Sequence, residues 1–355
     1  MNKPNDDRTK VAVLLGGRGA EHEVSIQSGR AIIAALLESR DKYEVLPVYI
    51  TKDGQWLLHE NASGLDTLEH TGAPVAVNPG NGFMLANYGF TPVPADAVFP
   101  ALHGEYGEDG TIQGLCELAG LPCVGSGMLS SAMCLDKPVS KRLAAGIGGL
   151  FRVPFLEFNA SDPSRFEEIA AKVRDALGYP CFVKPVNTGS SCGISKAVNG
   201  DGLFESLRLA AGFAPRIIVE AAVKGRELEV GVLGNDSPVA SGVGEIITSH
   251  GFYDYDSKYT EGAAEVVVSA DIDKNIAESI RYYALEVYKI MGCRGMARVD
   301  FFLENGTNRV LFNEINTIPG FTPTSMYPKL FEHEGIPMAR LVDKLVELAI
   351  EGRDK

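Results

Sequence analysis

Long apolar runs are missing from this chain. None approaches the ~18 residues that a membrane-spanning helix needs. The first ten residues, MNKPNDDRTK, are polar and lack the apolar core of a signal peptide. Cysteine is sparse: six residues, scattered, with no Cys-x-x-Cys pair. They read as reduced, structural thiols of a cytoplasmic protein. Positive charge is in deficit, and the net charge is -13. Such a surface repels nucleic acid and anionic membranes, so neither is an expected partner. A bound polyanion must meet a local basic or glycine-rich pocket. There is no internal repeat, no low-complexity segment, and no Gly-Lys-Ser/Thr loop of the Walker A type.

What is present is a globular composition, 45% apolar over 355 residues, enough for about two or three domains. KVAVLLGG reads as a short strand ending in glycines. EVSIQSGRAIIAALLES has helical periodicity, with Ile33, Leu36 and Leu37 on one stripe. YEVLPVYI and QWLLH flank a Lys52-Asp53-Gly54 hairpin turn. DAVFPALHG is another buried strand, and EDGTIQGLCELAG a short helix stopped by Gly120. This alternation predicts a parallel sheet with a ligand edge at the strand C-termini. Two short helices cover about 127–146. Strands and helices then alternate through RIIVEAAV. Beyond residue 226 the strands follow one another directly, apart from a long helix over 271–291 with apolar residues spaced four, three, four and three. A last helix lies near 338–351. The expected layout is α/β and α+β: an N-terminal α/β unit over 1–126, a small α+β unit over 127–224, and a third with antiparallel strands over 225–355.

The chemistry concentrates on two late strands. MARVDFFL places Arg298 and Asp300 two apart, and VLFNEIN places Glu314 and Asn316 two apart, so each pair shares a face of its own strand. Whether all four share one face depends on the connection. A tight turn on Asn305-Gly306 sends Glu314 to the opposite face. A longer loop centred on Thr307 sets Asp300 opposite Glu314 and Arg298 opposite Asn316. The longer loop is the expectation adopted. Hard oxygen ligands of this kind suit Mg²⁺, although a surface ion pair is the plainer reading of the same residues.

FVKPVNTGSSCG puts Lys184 at a strand end, then Gly189, Ser190, Ser191 and Gly193 in a loop between strands. That pattern reads as a flap closing on phosphates, or as an ordinary hairpin loop. Glu220 and Glu227, near the Lys224-Gly225 turn, offer carboxylates for an adenine amino group and ribose hydroxyls, or simply for water. GFYDYDSKYTEG (251–262) suggests an aromatic lid. GGRGAEHEVS carries Glu21 in an incomplete dinucleotide fingerprint. HGEYGEDG carries His103 and acids that suit a helix N-terminus.

Together these stretches, with LDK, KGRE and NEINTIPGFT..SMYP, resemble the D-alanine–D-alanine ligases of the ATP-grasp superfamily nearly end to end. The resemblance implies a Rossmann-like N-terminal α/β domain followed by a two-part ATP-grasp fold. It implies ATP and D-alanine as substrates, two Mg²⁺ ions with Mn²⁺ as a substitute, and a homodimer. By matching motif, Glu21 would hold the ammonium of the first D-alanine, with His103 beside it. Lys137, Lys184 and Lys258 would contact phosphates, Glu220 the adenine and Glu227 the ribose. Ser191, Val223 and Phe252 would complete the nucleotide site. Ser190 and Tyr259 would hydrogen-bond toward Glu21. Arg298 would polarise the reacting carboxylate, and Asp300, Glu314 and Asn316 would hold metal. Gly320 would donate an N–H to the oxyanion. Ser325 and Met326 would bind the second carboxylate. Two departures from the family pattern are Cys192, where valine is usual, and the extra acid Glu105.

The implied product is D-alanyl-D-alanine, made through a D-alanyl phosphate for the bacterial cell wall. The rival within the class is a ligase whose second substrate is D-lactate or D-serine. An NAD-dependent oxidoreductase built on GGRGAE explains none of the residues after 180. A non-catalytic nucleotide sensor has no need of Arg298, Asp300, Glu314 and Asn316 together.

Overall fold

The computed structural model describes residues 7–59, 72–86, 89–189, 192–248 and 264–351. KVAVLLGG forms β1 (Thr9–Gly16), with Val11 to Leu15 fully buried. A strand apolar at every position needs cover on both faces, as in parallel sheets. β1 pairs in parallel with β2 (Tyr43–Ile50) and β7 (Ala97–Pro100). The crossover helix α1 (His22–Leu37) turns Ile32, Ile33 and Leu36 into the core. The parallel part ends there. β3 (Trp56–Leu58) returns antiparallel to β2 around Lys52-Asp53-Gly54, as the sequence suggested. β4 (Ala73–Asn78), β5 (Gly82–Leu85) and β6 (Pro92–Val93) extend the same edge antiparallel, in the order β6-β5-β4-β3-β2-β1-β7. The parallel sheet expected from sequence is thus the three strands β2-β1-β7 at one end of a mixed sheet. The added strands are two to six residues long and broken by Gly80, Gly82 and Pro92, too short to show a period. Helix α2 (Thr111–Ala119) ends at Gly120.

The second sheet is antiparallel, ordered β11-β10-β12-β9, from β9 (Phe155–Asn159), β10 (Cys181–Pro185), β11 (Ser195–Ala197) and β12 (Arg216–Ala221). Helices α5 (Phe166–Ala176) and α6 (Gly200–Ala211) cover one face, where Cys181, Val183, Ile217 and Val219 are buried. By the two-residue period the other face presents Phe182, Lys184 and Glu220.

The third sheet contains β13 (Gly225–Leu233), β14 (Val239–Thr248), β15 (Ala264–Val267), β16 (Met296–Glu304) and β17 (Val310–Asn316). A short strand, β8 (Phe151–Arg152), joins β17 in parallel. Helix α7 (Lys274–Ile290) buries Ile280, Ala284 and Val287 against Leu228, Val230, Val299 and Phe301, while Ile290 at its end is exposed. Helices α3 (Met128–Leu135) and α4 (Lys137–Ala144) pack on β17. Two further helices close the chain, α8 (Met326–His333) and α9 (Met338–Glu351). Leu341, Val342 and Leu345 of α9 share one core with Ile32, Ile33 and Leu36 of α1. The first and third units are therefore packed together, and the second keeps its own core. All six cysteines are free thiols. Among the described residues no helix is long and apolar enough to cross a membrane.

Candidate active site

A cavity of about 420 Å³ lies where the three sheets meet. One wall is the polar face of β13, β16 and β17. Arg298 stands opposite Asn316 and Asp300 opposite Glu314, so the four residues do share a face. The route differs from the expected longer loop. Glu304 N–H bonds Arg309 O at 2.9 Å, which leaves four residues, 305–308, in the turn. That turn sets Leu303 opposite Val310, a register that would place Asp300 opposite Asn313 and Glu314 on the core face. A bulge corrects it. Asn313 has no partner on β16, and the strand beyond it is shifted by one.

On this wall the Arg298 guanidinium grips Asp300 with two bonds, 2.8 and 2.7 Å, and lies 3.1 Å from Glu229 on β13. Asn316 Nδ2 donates to Asp300 Oδ2 at 3.1 Å. Burial works against the Arg298 charge, but Asp300 and Glu229 outweigh it and hold its pKa well above the ordinary value. Arg298, Glu314 and Asn316 line the cavity, whereas Asp300 sits behind them.

The opposite wall is the second sheet. Each oxygen of the buried Glu220 carboxylate faces an ammonium: Lys141 Nζ at 2.9 Å and Lys184 Nζ at 2.6 Å. Burial raises the Glu220 pKa, yet the two lysines overcome it and bring it down to about 2. Lys137 Nζ bonds Thr188 O at 2.8 Å and lies 4.0 Å from Glu314. Val223 and Glu227 line the same cavity.

The floor comes from the first unit. Glu21 is buried at the start of α1. A Cβ on Gly189, in the glycine-rich loop, would lie 2.8 Å from its Oε2, so only glycine lets that loop approach so closely. His103 uses both ring nitrogens, Nδ1 with Ile318 O at 3.2 Å and Nε2 with Ser28 Oγ at 2.9 Å. A carbonyl can only accept, so Nδ1 carries the hydrogen and Nε2 accepts from Ser28. Burial lowers the His103 pKa and favours this neutral ring. Of the acids in HGEYGEDG, Asp109 accepts from Thr111 N–H at 2.9 Å. Glu108 instead turns inward and accepts from Gly104 N–H at 2.8 Å. At the far end, Gly320 faces Ser325, whose Oγ would be 2.6 Å from a Cβ there. Ser325 and Met326 open α8.

Thirteen of the residues to which the resemblance gives a role therefore line one cavity: Glu21, His103, Lys137, Lys184, Glu220, Val223, Glu227, Arg298, Glu314, Asn316, Gly320, Ser325 and Met326. Ser190, Ser191, Phe252, Lys258 and Tyr259, with the expected lid 251–262, lie outside the described residues.

Two domain families match the chain: D-ala D-ala ligase N-terminus over residues 10–126 and D-ala D-ala ligase C-terminus over residues 146–347. The chain belongs to the D-alanine–D-alanine ligase family. It is similar to the D-alanine–D-alanine ligase of Deinococcus radiodurans, 46% identical over 98% of this chain and 100% of that protein. A ligase of the same name from Caldicellulosiruptor bescii is 44% identical over 97% of this chain and 96% of its own length. Among solved structures, the D-alanine–D-alanine ligase from Coxiella burnetii superposes with a TM-score of 0.86 at 35% identity, covering 98% of this chain and 95% of that one. VanG D-Ala:D-Ser ligase from Enterococcus faecalis does so with 0.86 at 36%, covering 97% and 100%. This chain is thus an enzyme of the ligase class with the ATP-grasp fold of that family.

The side chains of Glu314 and Asn316 bring a carboxylate and an amide oxygen to the cavity, the kind of donor a hard cation takes. Among the described residues no three carboxylate, imidazole or thiol side chains converge as a metal cluster. The Asn316 amide spends its Nδ2 on Asp300. Asp300 accepts from Arg298 through both oxygens and from Asn316 through Oδ2.

Sequence reading missed Glu229, Lys141 and Glu108. Glu229 follows Glu227 by two, the same strand alternation used for Arg298 and Asp300. Lys141 follows Lys137 by four, one helical turn. Glu108 has no local signal, since its inward turn depends on Gly104 and on Ile318 of the third unit.

Glu108 gives a pH prediction. Burial first, then the Glu21 charge, pushes its pKa up to about 8. A carboxyl raised above its unfolded value stabilises the fold fully below about pH 4.5. That contribution is lost as pH rises through about 8. Glu108→Gln is expected to abolish this loss. Thermal melts from pH 5 to 8.5 then show the variant gaining on the parent as pH rises, and parallel curves reject the assignment.

Proposed function

We propose that this chain joins two D-alanines to D-alanyl-D-alanine at the expense of ATP, for cell-wall synthesis. The observation that carries the reading is one cavity floored by Glu21 and His103, with Lys184–Glu220 on one wall and Arg298, Glu314 and Asn316 on the other. Glu21 takes the ammonium of the first D-alanine. Neutral His103 holds the 318–321 loop beside it rather than acting as a free base. Arg298 binds the reacting carboxylate, and Glu220, Val223 and Glu227 hold the nucleoside. Lys137, Lys184 and, from the lid, Lys258 face the phosphates. Ser190, Ser191, Phe252 and Tyr259 complete the closed site and keep water out.

The first carboxylate attacks the γ-phosphorus, and the bond to ADP breaks, leaving an acyl phosphate. The amine of the second D-alanine, having lost a proton, attacks the carbonyl carbon, and phosphate departs. Arg298 and Lys184 offset charge on the transferring group, and the Gly320 N–H donates to the carbonyl oxyanion. Ser325 and Met326, at the N-terminus of α8, receive the second carboxylate. Asp300, Glu314 and Asn316 would hold Mg²⁺, as two ions, and the metal would supply further charge neutralisation. The division at 126 and 224 assigns the first amino acid to the N-terminal unit and the nucleotide to the other two. The family resemblance also supports Mn²⁺ as a substitute, a homodimer and a cytoplasmic setting.

The second substrate is tested directly. With ATP and D-alanine, equimolar D-alanine, D-serine and D-lactate compete as acceptors at neutral pH, and products are separated by mass. D-alanyl-D-alanine should predominate and rise toward alkaline pH, where the amine is free. Predominant D-alanyl-D-serine or the depsipeptide overturns the choice of acceptor.

A further inference from the structure

Lys141 is 0% exposed, yet it carries a charge-bearing group into a core that a leucine would fill more cheaply. Its place follows from the helix. Asp136 caps α4 by accepting from Val139 N–H, and Lys137 and Lys141 then fall four apart on one inward face. Lys137 points at Thr188 and Glu314. Lys141 reaches deeper. Its Nζ donates to the carbonyl of Asn313 at 2.6 Å, pairs with Glu220 at 2.9 Å, and lies 5.8 Å from the centre of the Phe312 ring.

The two polar partners belong to different sheets. Asn313 is the bulge residue of β17, and a bulge leaves the extra residue without its ladder partner. The Asn313 carbonyl therefore needs a donor from elsewhere, and Lys141 supplies it. Without the bulge, Glu314 would turn to the core face. Glu220, on the second sheet, has its other oxygen held by Lys184. One buried ammonium thus ties the carboxylate at one end of the nucleotide site to the backbone kink that aims the carboxylate at the other.

We propose that Lys141 is a positioning residue that fixes Glu220 and Glu314 relative to each other, and so couples nucleotide binding to the divalent cation. The proposal rests on the nucleotide reading above, and the experiment separates the two. ADP binding is measured by calorimetry with and without Mn²⁺, and Mn²⁺ binding by the loss of its free electron-spin resonance signal. The full-length parent should bind Mn²⁺–ADP. In Lys141→Met, ADP and Mn²⁺ affinities should each fall about 10–100-fold, the size expected when an outer partner of a ligand is removed. The KM for D-alanine at saturating ATP should stay within about twofold, because Glu21 and His103 do not touch Lys141; a purely structural defect would move every constant together.

If Lys141→Met does not fold, Lys141→Met in a Glu220→Gln background removes both partners of the buried pair and balances the charge. That double variant should need about tenfold more Mn²⁺ than Glu220→Gln alone. Equal Mn²⁺ affinity in these two proteins, or unchanged ADP and Mn²⁺ affinity in Lys141→Met, overturns the proposal. A parent that binds no ADP removes the nucleotide reading itself, and this proposal with it.

Discussion

Glu314→Gln is expected to lower turnover by about 10²–10³-fold, the scale seen when one charge-stabilising group is removed from a reaction centre. The melting temperature should barely change. Glu314 is only half-buried, on the cavity face, and Lys137 lies 4.0 Å away. The substitution keeps shape and volume while removing the charge that a cation and a phosphoryl group would feel. Steady-state rates at saturating Mg²⁺, together with a thermal melt, test it. A near-parental rate sinks the assignment of Glu314 to the reaction centre. A large fall in melting temperature would show instead that Glu314 holds the fold.

Arg298→Met should be costly to both fold and function. Asp300 and Glu229 are each 2% exposed and both face the guanidinium. Removing it leaves two neighbouring carboxylates buried without their cation, a loss of about 3–5 kcal/mol. Arg298→Lys is the informative companion. It restores a positive charge near both acids but not the two-pronged grip on Asp300. It should recover much of the stability, yet remain about 10²-fold slow, because an ammonium cannot reproduce the planar fork. Urea denaturation and initial rates on the three proteins decide the matter. A methionine variant as stable as the parent, or a lysine variant with full turnover, contradicts this account of the wall.

Strand alternation and helix periods are local, and they were readable without any structure. The pairs Arg298/Asp300 and Glu314/Asn316 each share a face because every second residue does, and a helix stops at Gly120. The set of motifs carried the family for the same reason, since each piece is a short stretch read directly along the chain. Alternation, however, says which residues lie on the same side of one strand and never which side that is. The side is set by register, and here register turns on the Asn313 bulge, whose carbonyl is held by a lysine 172 positions away. Glu229, Lys141 and Glu108 escaped notice on the same ground. The partner of Glu229 sits on the neighbouring strand, those of Lys141 on two different sheets, and Glu108 meets Ile318 of the third unit; burial, which makes a charge costly unless it is paired, exists only once these elements have packed.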